Sequence, residues 1–155
     1  MLTDNDITTY TPLGGNIDVD KYRFSILDAQ NSRLEELLGE TLYNKMLDEF
    51  PTYTGVYSDL YTKYIRWFLI HQSALEYILT GAYAIGNSGF YKITPTNGAP
   101  IEKTEVDYIA NNQRIKADMW ADKLQRRLDQ NDFPEYKSNY DCDGFGGGSA
   151  MNWHF

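Results

Sequence analysis

The feature that most constrains the fold is a long helical repeat of apolar residues in the middle of the chain. Within residues 56–85, apolar side chains recur at steps of three and four, and the centre of this segment is apolar around most of its circumference. The stripe consists of Leu60, Tyr64, Trp67, Phe68, His71, Leu75, Ile78, Leu79 and Ala82. A helix of this kind must be covered on several sides, so we expect it to be central. Polar residues such as Gln72 and Glu76 interrupt it too often for a membrane span.

Two shorter patterns predict helices before it, after an opening turn at Thr3 and Asp6. Residues 18–38 begin with Asp18 as an N-cap, and Gly39 separates them from residues 40–50, which stop before Pro51. The first of these helices places on one face Tyr22, Ile26, Ala29, Leu34, Leu37 and Leu38. The second places on one face Leu42, Tyr43, Met46 and Leu47. Because a single residue joins the two helices, we expect a sharp corner.

A last helix is predicted over residues 104–131. Thr104 and Asp107 form a capping box at its start, and Gln113 is a polar gap in its apolar face. That face consists of Val106, Ile109, Gln113, Ala117, Trp120, Leu124 and Leu128.

The segment between the two long helices breaks the helical period. Residues 88–102 alternate in polarity, and Asn97 and Gly98 suit the tight turn of a small β-hairpin. A hairpin of this size is marginal alone, so we expect it to rest on a subunit or partner. Its predicted interface residues are Phe90, Tyr91, Lys92, Ile93, Asn97 and Gly98.

Composition limits the classes of function. The 155 residues, with 42% apolar and 23% charged, suit one soluble domain, and a net charge of -8 argues against a nucleic-acid-binding surface. A single cysteine excludes an internal disulfide and suggests a reducing compartment. The 13 tyrosines suit either a protein interface or the edge of a core, and the sequence leaves both readings open.

No pattern of residues predicts an enzyme, a metal site or a cofactor site. Asn139, Asp141 and Asp143 have calcium-loop spacing, but Ala150 stands where that loop needs a bidentate acid. His71 lies on an apolar stripe, where a hydrogen-bonded core histidine is more common than a ligand. His154 and Cys142 have no suitable partners nearby in the sequence, and the carboxylates of the predicted helices suit their solvated surfaces. A catalytic site shared between subunits stays open as a weaker alternative.

The C-terminal residues form a predicted arm. A Gly-rich tether carries aromatic groups that their own domain could bury only at an entropic cost. We expect them to dock on a partner, and a disordered tail is the alternative reading. The candidate contact residues are Tyr140, Phe145, Met151, Trp153 and Phe155.

Together these patterns predict a mainly α fold. It comprises a bundle of about four helices, a small β-hairpin between the last two long helices and a flexible C-terminal arm. The helical domain spans residues 1–134, with the hairpin arm at 88–102, and the extended arm spans 135–155.

The run ILDAQNSRLEELLGETLYNKML, residues 26–47, followed by a long aromatic-rich helix, a Gly-bounded loop and an amphipathic helix, resembles a known family. It is similar to head-to-tail connector (head completion adaptor) proteins of tailed bacteriophages, most closely those of Bacteroidetes and crAss-like phages. The resemblance covers about residues 2–128. Leu37, Leu38 and Gly39, then Leu42 and Tyr43, are the most family-like part.

The resemblance implies a structural virion protein in the phage neck, made in the host bacterial cytoplasm. Copies of the chain would form a homo-oligomeric ring, typically of twelve, between the portal protein and a tail or further neck protein. DNA would pass through the lumen without sequence-specific binding, and no membrane would be involved. The alternative is a small soluble protein-binding module, a phage regulatory or host-interaction protein that forms no ring.

Overall fold

A computed structural model describes residues 1–2, 4–11, 13, 19–81, 83–86, 89–92, 103–130 and 132–136. Five helices and one pair of short strands lie within this part of the chain. Helix α1 is Asp4–Tyr10, α2 covers residues 19–38, α3 is Glu40–Asp48, α4 covers residues 55–81 and α5 is Lys103–Leu128. Strands β1, Tyr83–Gly86, and β2, Gly89–Lys92, follow α4.

Helix α4 is the centre of the bundle, as its pattern predicts. Helices α1, α2 and α5 all pack against it. The main core lies between α2, α3, α4 and α5, and its largest fully buried members are Leu34, Leu38, Leu42, Met46, Leu60, Ile65, Phe68, Leu69 and Leu124. A smaller cluster of Ile7, Tyr22 and Ile26 fills the space between α1 and α2. The predicted helical bundle is therefore confirmed.

Two of the helices contain a wide π-helical stretch. Helix α2 runs from Val19–Asp28 through the π-helical Ala29–Leu34 to Glu35–Leu38. The buried Ala29 and the buried Leu34 are five positions apart, a spacing that would turn an α-helix well past its core face. The wider turn absorbs the extra residue and keeps Leu34 pointing inward.

Helix α4 also contains a π-helical stretch that keeps its buried residues on one side. It runs from Gly55–Leu60 through the π-helical Tyr61–Ile65 to Arg66–Gly81. Leu60 and Ile65 are again five residues apart, and both are fully buried. The wide turn thus keeps the core face of Gly55–Leu60 on the same side of the helix as the core face of Arg66–Gly81.

Gly39 alone joins α2 to α3. Its backbone angles, φ 72° and ψ 153°, belong to a region that residues with a side chain rarely adopt. The N–H of Gly39 donates to the carbonyl of Glu35, and the Gly39 carbonyl accepts from the N–H of Tyr43. Both helix ends are therefore hydrogen-bonded across a one-residue break.

The predicted hairpin is wrong. The structure pairs β1 with β2 as antiparallel strands, with Ile85 opposite Phe90 and Gly86 opposite Gly89. The connection lies at residues 87–88, whereas the prediction placed the turn at Asn97 and Gly98 and made Phe90 part of the first strand. Helix α4 ends at Gly81, so residues 83–85 are a strand and not the end of the helix.

The other helix boundaries lie within three residues of those expected, and the following points differ from the prediction. The opening turn is a helix of seven residues. Helix α5 ends at Leu128, three residues before the predicted end. Leu47 and Leu79, which were predicted on core faces, are exposed. The predicted cap Asp18 lies outside the described residues.

Several tyrosines line the edge of the core and send their hydroxyl groups to polar partners. Tyr22 donates to the carbonyl of Leu13, Tyr53 to that of Met46 and Tyr61 to that of Met1, at 2.6–3.0 Å. Tyr22 also stacks on Tyr77, with ring centroids 4.5 Å apart. Burial raises the pKa of Tyr22 to about 12. These tyrosines match the core-edge reading of the composition, since each combines a buried or half-buried ring with a satisfied hydroxyl.

Candidate interaction surfaces

Helix α5 carries a second apolar row on the side that faces away from the bundle. Its buried face consists of Ala110, Gln113, Ala117, Ala121, Leu124 and Leu128. Half a helical turn from this face lie Tyr108, Ile115 and Met119, which we call the α5 outer face. Tyr108 is 73% exposed, Ile115 is 61% exposed, and Met119 is also exposed. Three large apolar side chains on one side of the helix therefore stay in water.

Helix α2 has a similar outer face. Tyr22, Ile26 and Ala29 are buried, and Phe24 and Leu27 lie on the opposite side of the helix. Phe24 is 66% exposed, and Leu27 is exposed as well. Phe24 and Leu27 are the α2 outer face.

The two outer faces belong to helices that both pack on α4. Each of these helices turns its buried face inward and its outer face away from the bundle. The subunit thus presents two different apolar surfaces, one on α2 and one on α5. Single exposed apolar residues are ordinary on soluble proteins, but rows at helical spacing are typical of surfaces that meet another protein.

The buried polar groups between α4 and α5 form a structural pair. The Nδ1 of His71 lies 2.9 Å from the Oε1 of Gln113, and both side chains are buried. Because the amide oxygen can only accept, Nδ1 carries the proton in this pair. Burial lowers the pKa of His71, an effect that its hydrogen bond to Gln113 partly offsets. The prediction of a hydrogen-bonded core histidine is confirmed, and its partner explains the polar gap at Gln113.

A group of side chains fastens residues 132–136 to α3 and α4. The Nζ of Lys45 is 2.6 Å from Oε1 of Glu135, and the hydroxyl of Tyr57 donates to Oε2 of the same carboxylate at 2.7 Å. The ring of Tyr57 meets the buried ring of Phe133 edge-on, with 5.7 Å between the centroids. Lys45, Tyr57, Phe133 and Glu135 are called the C-terminal clasp.

Proton equilibria in the clasp follow its hydrogen bonds. The hydrogen bond from Lys45 lowers the pKa of Glu135, and the hydrogen bond to Glu135 raises the pKa of Lys45. Burial raises the pKa of Tyr57. All three groups therefore keep their ordinary charge at neutral pH, which suits a structural fastening of the segment that leads into the C-terminal residues.

Stacked rings cross the surface from α1 over α4 to α5. Tyr10 meets Trp67 edge-on at 4.9 Å, and Trp67 stacks on Trp120 at 5.8 Å. Lys123 caps this row, with its Nζ 4.0 Å from the Trp120 ring centre. Both tryptophans are half-buried, so the row ties the three helices together by aromatic packing.

The structure describes few of the predicted contact residues. Phe90, Tyr91 and Lys92 belong to β2, where only the backbone is described. The predicted residues Ile93, Asn97 and Gly98 lie outside the described residues. So do the arm residues Tyr140, Phe145, Met151, Trp153 and Phe155. Their roles as contacts stay predictions.

Sequence reasoning missed the two outer faces. The spacing of Tyr108, Ile115 and Met119, seven and then four residues, is itself a helical pattern that could have revealed a second face. Among the residues that the structure describes, no group of three or more His, Cys, Asp and Glu side chains could hold a metal ion. No helix in the described ranges is both long and apolar enough to cross a membrane.

Comparison with known proteins places the chain in a family. No curated protein and no solved structure gives a significant match. A sequence profile does match, over residues 34–146, which include part of α2, all of α3, α4 and α5, and the clasp segment. Because the match spans well over half of the 155 residues, the chain belongs to this family, DUF6712, a family of unknown function.

Proposed function

We propose that the protein is a structural subunit of a tailed-phage virion that joins copies of itself into a ring in the neck, between the portal and the tail. The observation that carries the proposal is the pair of apolar outer faces on α2 and α5. The resemblance of residues 26–47 to head-to-tail connectors supports the choice of ring and location.

Two different faces are what a ring subunit needs. A contact between unlike faces of two copies is heterologous, so each copy keeps one face for the copy before it and one for the copy after it. Such contacts repeat from copy to copy. The copies form a closed ring when the rotation between neighbours divides a full turn into a whole number of subunits. The resemblance suggests twelve copies.

The charge of the chain suits a channel for DNA. A net charge of -8 gives the lumen wall little attraction for phosphates, so DNA would pass without being held. In this proposal DNA is cargo, and the protein contacts are made with the neighbouring copies, the portal and a tail or further neck protein.

The C-terminal residues supply the second set of contacts in this proposal. The clasp fixes residues 132–136, which directly precede them in the sequence, to α3 and α4. Trp153 and Phe155 would dock on the portal or on a neighbouring copy. Aromatic anchors of this kind contribute much of the binding energy at protein interfaces.

The test is the mass of the full-length protein, measured by light scattering and negative-stain imaging, alone and mixed with the portal of the same phage. We expect closed rings or a portal-bound collar. A chain that stays monomeric at all concentrations and ignores the portal would contradict the proposal and favour a small soluble binding module.

Deletion of residues 144–155 tests the arm separately. We expect circular dichroism and the melting temperature Tm to be unchanged and the yield of tailed virions to fall. As a matched control, replacing exposed Asp59 on α4 with Asn should change neither fold nor yield. Full virion yield from the truncated chain would show that the arm makes no required contact.

A further inference from the structure

We infer that the α2 outer face of one copy docks, antiparallel, on the α5 outer face of the next copy. The inference rests on the proposed ring and names the contact that would close it. The occupant of each face is therefore a second copy of this chain, and the argument comes from the spacing and the charges beside the two faces.

The apolar residues of the two faces match in length. Phe24 and Leu27 are three residues apart on α2, and Ile115 and Met119 are four apart on α5, so each pair spans about one helical turn. In an antiparallel pair, Phe24 would lie beside Met119 and Leu27 beside Ile115.

Charged residues flank the α5 outer face with opposite signs on its two sides. Asp118 and Asp122 lie on one side of the Ile115–Met119 pair, and Lys116 and Lys123 lie on the other. Asp118 and Asp122 are exposed, while Lys116 and Lys123 are partly exposed. The apolar row of α5 therefore has an acidic edge and a basic edge.

The α2 outer face carries the complementary charges. Arg23 precedes Leu27 by four residues and lies on one side of the apolar pair, and Asp28 follows Phe24 by four residues and lies on the other. Both are exposed. When two helices face each other antiparallel, corresponding sides meet, so Arg23 approaches Asp118 and Asp122 while Asp28 approaches Lys116.

A parallel arrangement reverses this match. It would bring Asp28 to the acidic edge of α5 and Arg23 to its basic edge, and like charges at an interface oppose binding. The same register that places Phe24 beside Met119 also places Arg23 level with the gap between Asp118 and Asp122. Apolar spacing and charge thus select one orientation and one register.

Disulfide trapping tests the contact in the full-length protein. In a background with Cys142→Ser, Phe24→Cys and Met119→Cys are made in separate chains, which are mixed and oxidised. We expect a disulfide between the two different variants and none from either variant alone. Thr62→Cys, at an exposed position on α4, replaces Phe24→Cys in the control mixture and should give none. A disulfide between two copies of the same variant would mean that like faces meet and would overturn the inference.

Charge reversal supplies an independent measurement. Arg23→Glu should lower the assembled fraction severalfold in sedimentation velocity, and Asp122→Lys in the same chain should restore it. Rings that form without the Phe24–Met119 disulfide and ignore Arg23→Glu would overturn this contact and leave the proposed ring standing. A chain that forms no assembly, alone or with the portal, would overturn both.

Discussion

Replacing Gln113 with Leu should destabilise the protein although the new side chain is apolar and similar in size. In the native protein the Nδ1–H of His71 donates to Gln113 Oε1 over 2.9 Å, and both side chains are buried. With Leu at position 113, that buried donor loses its partner. An unsatisfied buried polar group costs about 1–3 kcal/mol. For a chain of this size, a loss of about 2 kcal/mol corresponds to a decrease in Tm of roughly 4–8 °C.

A double-mutant cycle measured by urea unfolding separates the hydrogen bond from packing. His71→Leu should also destabilise, because it leaves the amide of Gln113 unpaired. The double variant with Leu at both positions should recover most of the loss, since neither polar group remains. We therefore expect a coupling energy of at least about 1 kcal/mol. If the two single losses add to within about 0.5 kcal/mol, or if Gln113→Leu costs nothing, the two side chains do not depend on each other and the reasoning fails.

Three further predictions concern the junction, the clasp and pH. Gly39→Ala should lower the free energy of unfolding in urea by about 1–3 kcal/mol because of the backbone angles at the α2–α3 junction, although no atom lies near the added Cβ. The control is Glu40→Ala, next to it and exposed, which should change stability by less than about 0.5 kcal/mol. Equal effects of the two variants would refute the reason given. Phe133→Ala should lower the free energy of unfolding by about 3 kcal/mol because the ring is buried against Tyr57. Pro134→Ala, at an exposed position, is the control. A loss below about 1 kcal/mol for Phe133→Ala would show that residues 132–136 unfold separately. Burial lowers the pKa of His71 below its unfolded value of 6.5, so below that pH the unfolded chain binds more protons than the folded one. The free energy of unfolding therefore falls with decreasing pH, by at most about 1.4 kcal/mol per pH unit. His71→Gln should reduce this slope between pH 6.5 and 5, and an unchanged slope would contradict the assignment.

Much of the fold follows from local rules that the sequence displays. The core face of α2 was predicted from helical spacing alone, and Tyr22, Ile26, Ala29, Leu34 and Leu38 are all buried. That prediction succeeded across a π-helical stretch, because the protein adjusts the helix to keep its apolar residues inward. The pattern gave the buried residues correctly and gave no sign of the wide turn that makes their burial possible.

The end of α4 could not be read in the same way. The run YAIG at residues 83–86 continues the apolar steps of the helix and also suits a short strand, and short apolar runs do not distinguish the two. Asn97 and Gly98 are a stronger turn signal than residues 87–88, so local preference pointed to the wrong connection. The structure instead pairs β1 with β2 across the two residues between them, so the connection is local and lies earlier in the chain than the one predicted.

The outer faces show most clearly what a single sequence leaves undecided. On α5 the buried side includes Ala110, Ala117 and Ala121, whereas the exposed side has Tyr108, Ile115 and Met119. The buried side also carries Leu124 and Leu128, so both sides of α5 offer large apolar side chains and apolar size alone does not distinguish them. Small inner residues allow α5 to approach α4 closely, and His71 on α4 supplies the partner that Gln113 needs. The contacts that α4 provides thus determine which side of α5 is buried, and Tyr108, Ile115 and Met119 stay exposed. That arrangement gives the subunit an apolar row without using it in its own core, which is why we assign the row to a second copy of the chain.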